Sequence, residues 1–202
     1  MTFTQDIKIA LQSYQRRILN RPQRAAVLMP IIEDEQGASI LLTRRSSHLG
    51  SHAGEVSFPG GKVEDADQDL IATALRETYE EINIKAQEIE VLGILDDMMP
   101  KKQSMAVTPV VGIIHNTDML KANPQEVDRI FTIPVDTLIQ SHRWECKHHT
   151  WGNQTWPIYY FEYDGELLWG LSAYMTLIML RLSKHGSPID LSWLNQHFKI
   201  SR

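Results

Sequence analysis

GGKVEDADQDLIATALRETYEEINI, residues 60 to 84, opens on two glycines and closes on a helical pattern. That pattern holds Arg76, Glu77, Glu80 and Glu81 within six positions. An α-helix turns about 100° per residue, so with Arg76 at zero Glu80 falls near 40°, Glu77 near 100° and Glu81 near 140°. Ile71, Leu75, Thr78, Tyr79 and Ile82 fall on the opposite arc, roughly 200° to 300°. The spacing predicts a helix from about Asp67 to Ile82 with a core face and a concentrated anionic face. Like charges this close repel and cost helix stability. Glu77 and Glu81 lie one turn apart and can share a ligand. Arg76 is the only basic residue among them, so this is not an alternating salt-bridge ladder. Hard oxygen ligands on a rigid face suit Mg2+ or Mn2+, which also bind phosphate oxygens. A solvated helix face is the plain alternative. The glycines just upstream, whose backbone can approach a ligand closely, weigh against it.

Outward from this helix, AAVLMPIIE (25–33) and ASILLTRR (38–45) read as two strands of a hairpin. The long glycine-containing loop 46–61 follows, of a kind that often carries function. Ile7, Leu11, Tyr14 and Ile18 recur at helical spacing and predict a helix over 5–19. Strands are expected near 89–95, 106–114, 127–133 and 156–163. A last helix is expected near 172–184, ending before Gly186-Ser187-Pro188. Strands mixed with helices, without repeats or linkers, imply one layered α/β or α+β domain over 1–202. It divides into an N-terminal helical extension (1–22), a core (25–183) and a C-terminal tail (184–202).

The chain has 202 residues, and its 43% hydrophobic content supports a packed core rather than disorder. A net charge of −5 implies no general basic surface, so nucleic acid is not the expected partner. A small anionic substrate stays compatible, through a metal or a local arginine cluster. The one cysteine, Cys146, forms no internal disulfide, which fits a reducing compartment. The N-terminus lacks the apolar core of a signal peptide, and the apolar stretch 167–180 is short for a membrane span. A cytoplasmic protein without membrane partners is expected; a homodimer is compatible.

Residues 60 to 84 resemble the box of the Nudix hydrolases, G-x5-E-x7-R-E-U-x-E-E-x-G-U, where U is bulky and apolar. Arg76, Glu77, Thr78, Tyr79, Glu80 and Glu81 align with its REUxEE core. Thr78 stands at the apolar position, Gln68 at the early glutamate and Asn83 at the late glycine. Asn tolerates left-handed backbone and can still end the helix. Gly61 is one residue farther from Arg76 than in the standard box. That extension resembles the coenzyme A pyrophosphatase branch, whose upstream signature is LLTxR-[SA]-x3-R-x3-G-x3-FPGG. Residues 41–61, LLTRRSSHLGSHAGEVSFPGG, match it except that Gly50 stands at the second arginine. VTPVVG (107–112), PQEVDRIFTIPVDTL (124–138) and LLWGLSAYM (167–175) also look like that branch.

The resemblance implies an α/β/α sandwich around a mixed sheet, with the box as loop, helix and loop. It implies metal ligation by Glu77 and Glu81 with Glu80 adjacent, and an Arg76 that orients a glutamate. Gly60 and Gly61 would let backbone reach a diphosphate. The implied substrate is a nucleoside diphosphate derivative, most directly coenzyme A or an acyl derivative. Its cleavage would give adenosine 3′,5′-bisphosphate and 4′-phosphopantetheine, with Mg2+ or Mn2+ as cofactor. A nucleotide sugar, a dinucleotide, or a non-catalytic sensing role are the alternatives. Glu126 is the candidate base outside the box. Arg45, and with it Arg44, could pair with substrate phosphates in a guanidinium fork, or simply mark a strand end. His48 or His52 could replace the cation absent at Gly50, although loop histidines are commonly surface residues. Cys146, His148 and His149 lack a second ligand pair for zinc. Trp144, Trp151 and Trp156 could stack a base, though packing is the simpler use. The apolar stretch 167–180 fits core packing better than a docking face.

Overall fold

A computed structural model describes residues 1–99, 105–152 and 154–191, excepting the side chains of Trp151 and Gln154. The end of the expected tail, 192–202, and the Trp151 ring lie outside the described residues. In chain order the elements are α1 (Phe3–Gln12), β1 (Gln23–Asp34), β2 (Gly37–Arg45), β3 (Val56–Ser57), β4 (Gly60–Lys62) and α2 (Leu70–Ile82). There follow β5 (Ile89–Ile94), β6 (Met105–Ile114), β7 (Val127–Pro134), the single turn α3 (Val135–Leu138), β8 (Trp144–Trp151), β9 (Gln154–Tyr163), β10 (Glu166–Trp169) and α4 (Gly170–Leu182).

β1 is the spine of the main sheet. It pairs antiparallel with β2, as the hairpin pattern predicts, and parallel with β6, while β4 folds back onto its first half. β5 extends the sheet beyond β6, and β7 and β3 both pair with β2. The parallel β1–β6 pair makes the sheet mixed. Side chains on a strand alternate between faces. On β1, Ala25, Met29 and Ile31 join one core with Phe3, Ile7 and Leu11 of α1 and Leu177, Met179 and Leu180 of α4. Ala26 and Leu28 join the other with Ala74 and Ile82 of α2. Burial on both faces explains why β1 reads as a nearly continuous apolar run. Helices cover both faces, so the architecture is the expected α/β/α sandwich. β8, β9 and β10 form a separate three-stranded sheet. The α4 residues of the 167–180 stretch are core. Among the described residues no helix is long and apolar enough to cross a membrane.

The helix expected over 5–19 stops at Gln12, and Ile18 is 64% exposed. The cause lies far away in sequence. Asp96 accepts a hydrogen bond from Arg17 N at 2.8 Å, and Asp97 accepts from Leu19 N at 2.9 Å and from the Arg16 side chain. These bonds draw residues 16–19 out of helical geometry and against the end of β5.

Candidate active site

α2 starts where Asp69 caps it, accepting from Ala72 N at 2.8 Å. It ends at Asn83, whose φ of 61° is left-handed and whose side-chain amide donates to Met119 O at 2.8 Å. The buried residues of α2 are Thr73, Ala74, Thr78, Glu81 and Ile82, whereas Tyr79 is 47% exposed. The core face is thus rotated from the expected arc, away from Tyr79 and toward Glu81. Thr78 fits the apolar box position because its hydroxyl donates to Ala74 O at 2.7 Å, leaving its methyl to pack.

Arg76 is held on all sides. Its Nε and Nη2 donate to the two oxygens of Asp67 at 2.9 and 3.0 Å, and Nη2 also reaches Lys62 O at 2.9 Å. The remaining nitrogen, Nη1, donates to Glu77 Oε1 and to Glu80 Oε2, both at 3.0 Å. Arg76 therefore offsets the repulsion between these two glutamates and orients Glu77. Its hydrogen bonds to Asp67 hold that carboxyl well below the usual carboxylate range, against the opposing effect of burial. Sequence reasoning missed Asp67. The signal was an acid one position before Gln68, displaced as the one-residue extension of the box would displace it.

Gly60 and Gly61, in β4, bring the chain close to both β1 and α2. Gly60 has a φ of 155°, and a Cβ there would lie 2.4 Å from Ala26 O. A Cβ on Gly61 would lie 2.3 Å from Glu77 Oε1. The second glycine thus leaves room for the Glu77 carboxylate to rest on the backbone.

Glu77, Glu81 and Glu126 converge, each offering an oxygen within 4.8 Å of the others. Glu81 is 1% exposed, and its Oε2 is buried without a hydrogen-bond partner among the described residues. The Arg45 Nη1 stands 3.6 Å from its other oxygen. Burial pushes the Glu81 carboxyl up to about 8, with Glu126 and Glu77 adding to the effect and Arg45 opposing it. Burial also raises Glu77, against the pull of Arg76. Backbone bonds fix the loop that carries Glu126. Ser46 N donates to the Glu126 carbonyl at 2.8 Å, and Asn123 N, at the start of the same turn, donates to Glu81 O at 2.9 Å. Glu80 lies outside this trio, half-exposed on Arg76.

Other candidates sit elsewhere. Arg44 points to the opposite face from Arg45, where it shares Glu166 Oε1 with Arg129, each at 2.9 Å. His52 pairs with Glu55 at 2.9 Å, and among the described residues nothing lies within 4 Å of where a Cβ on Gly50 would stand. Trp144 is buried against Phe161 and donates to Leu138 O at 2.8 Å, which is packing rather than a base platform. Cys146 is exposed, and among the described residues the glutamate trio is the only set of acids, histidines or cysteines at metal-ligand spacing. Three convergent carboxylates with one orphaned, buried oxygen fit a hard divalent cation: the charge and donor type match, and an acceptor lacks a partner.

A profile of the NUDIX domain matches residues 22–148, which include the glycine pair, α2 and Glu126. The Photorhabdus laumondii protein named Uncharacterized Nudix hydrolase NudL is 37% identical over 171 residues, 85% of this chain and 90% of its own. The human Mitochondrial coenzyme A diphosphatase NUDT8 is 38% identical over 177 residues, 85% of this chain and 74% of its own. A solved Caenorhabditis elegans Ap4A hydrolase complex is 21% identical with a TM-score of 0.47, over 56% of this chain and 81% of its own. The profile covers more than half of the chain and the two relatives most of it, so the protein belongs to the Nudix hydrolase family.

Proposed function

We propose that this protein hydrolyses the diphosphate linkage of coenzyme A or an acyl derivative, using Mg2+ or Mn2+ held by Glu77, Glu81 and Glu126. The buried Glu81 carries the reading. Its side chain is shut away from water beside two other acids, an arrangement that is costly once the carboxyl is ionised unless a cation lies between them. Such an ion neutralises phosphoanhydride charge and acidifies water. The chain does the rest. Arg76, clamped by Asp67, holds Glu77 in one orientation. Gly61 keeps that carboxylate close to the backbone. Glu126 has no arginine partner among the described residues, which leaves the oxygen it does not offer to the ion available to accept the attacking water's proton. Arg45, at the rim of the trio and on the same face of the sheet, contributes positive charge toward the diphosphate.

Coenzyme A is favoured by the match of residues 41–61 to the branch signature and by the printed name of the human relative. Gly50, in place of a signature arginine, supports a second reading in which the substrate is another nucleoside diphosphate derivative, a nucleotide sugar or a dinucleotide. The test is hydrolysis of coenzyme A, an acyl-coenzyme A, a nucleotide sugar and a dinucleotide at equal enzyme and metal, with product masses recorded. Release of 4′-phosphopantetheine and adenosine 3′,5′-bisphosphate as the fastest reaction is expected. Faster cleavage of another substrate would replace the assignment.

A further inference from the structure

A second polar cluster lies on the same face of the sheet as the glutamate trio. Arg24 stands two residues before Ala26 on β1, and Thr108 two before Val110 on β6; Ala26 and Val110 belong to the core beneath α2. Residues two apart on a strand share a face. Ala26 pairs with Gly61, the glycine under the Glu77 carboxylate. At about 3.3 Å per residue, Arg24 is displaced along β1 by roughly 7 Å from that level.

The cluster centres on Asp97, whose side chain is fully buried. Its Oδ1 accepts from Thr108 Oγ1 at 2.6 Å and from Arg16 Nη2. Its Oδ2 accepts from Leu19 N and from Arg24 Nη2, both at 2.9 Å. Four donors occupy the acceptor positions of this carboxylate. Two guanidiniums thus share one negative charge. The Nε–H groups of Arg16 and Arg24 are buried with no hydrogen-bond partner among the described residues. Fastening residues 16–19 to the sheet accounts for the bonds to Asp97. It does not account for the surplus positive charge. Both side chains keep some exposure, 18% and 30%, so the cluster is open on one side. With both Nε–H groups buried and one Nη2 bond from each arginine spent on Asp97, the remaining Nη–H groups are the donors that match phosphoryl oxygens.

We propose that Arg16 and Arg24 form a subsite for a phosphoryl group that is not cleaved, the 3′-phosphate of the nucleoside half of coenzyme A. The identity of the ligand rests on the coenzyme A reading above; the anion chemistry does not. The assignment also relocates a role that Arg44 cannot take, since Glu166 holds it on the other face. In coenzyme A the 3′-phosphate and the 5′-diphosphate flank one ribose, which fits two anion sites side by side on one sheet face.

The test compares binding of adenosine 3′,5′-bisphosphate and adenosine 5′-phosphate to the full chain by calorimetry; the ligands differ only in the 3′-phosphate. The wild type is expected to bind the bisphosphate at least about tenfold more tightly, the usual worth of a charge-assisted hydrogen bond. Arg24→Gln and Arg16→Gln should each reduce that ratio severalfold. Arg24→Lys, which keeps the charge but has fewer donors and is the safer variant for folding, should reduce it in part. With coenzyme A and 3′-dephospho-coenzyme A as substrates, the ratio of kcat/KM should fall in the same variants. Equal wild-type affinity for the two nucleotides, or a preference that the folded variants leave unmoved, would overturn the subsite. Preferential bisphosphate binding by a wild type that hydrolyses no coenzyme A would uphold the anion site while refuting the hydrolytic assignment.

Discussion

Without metal, Glu81 should make the protein less stable as pH rises, and Glu81→Gln should remove most of that dependence. In the unfolded chain the carboxyl releases its proton near its ordinary value of 4.5; in the fold it holds the proton up to about 8. Between those values the folded state binds the proton and the unfolded state does not. Stability contributed by the protonated group is therefore complete below about 4.5 and is lost as pH rises toward 8. The folding constant falls by up to about tenfold per pH unit, which sums to on the order of 4 kcal/mol by pH 8. A glutamine at this position has the same shape and no proton to lose. The assay is urea unfolding in EDTA at several pH values from about 5 to 8. Wild type should lose stability steeply across this range. Glu81→Gln should show only the shallower loss due to Glu77, which is raised in the same direction. Excess Mg2+ or Mn2+ should flatten the wild-type curve, since the cation takes over from the proton. A flat wild-type curve in EDTA, or an equal slope in the variant, would refute the reasoning.

Gly61→Ala should fold with a loss below about 1 kcal/mol, because the clash is with the movable end of Glu77; turnover should fall about a hundredfold from the displaced carboxylate. Urea midpoints and steady-state rates check both halves. Asp67→Asn should cost about 2 kcal/mol and lower kcat more than it raises KM, because Arg76 loses the partner that aims it at Glu77. A variant with wild-type kcat would dismiss that clamp. Thr78→Val should stay within about 1 kcal/mol of wild type with unchanged turnover, since the methyl contacts persist and the hydroxyl serves only Ala74 O.

The box helix was largely legible. Its glutamates and its end at Asn83 follow from periodicity and from the left-handed tolerance of asparagine, whereas its start moves from the expected Asp67 to Leu70, where Asp69 caps it. Its rotation was not, because a helical wheel assigns acids to solvent and Tyr79 to the core. Here Glu81, buried, belongs to the candidate site, and Tyr79 takes the exposed position. The early end of α1 was illegible for a different reason: the donors on Arg16, Arg17 and Leu19 meet Asp96 and Asp97 across some eighty residues, which no local pattern records. β8 escaped because residues 145–150 are exposed on both faces, so the strand carries no apolar alternation. Glu126 was picked out only as a loop acid. Its place beside Glu81 depends on backbone bonds from Asn123 and Ser46 that fold the loop back onto α2 and β2.

The most direct test of the site is calorimetric titration of Mn2+ into metal-free wild type and into Glu77→Gln, Glu81→Gln and Glu126→Gln at a pH just above neutrality. Saturable binding by wild type, weakened at least about tenfold in each folded variant, is the predicted result. Binding of equal strength in all four proteins, or none in wild type, would contradict a cation held among these three carboxylates.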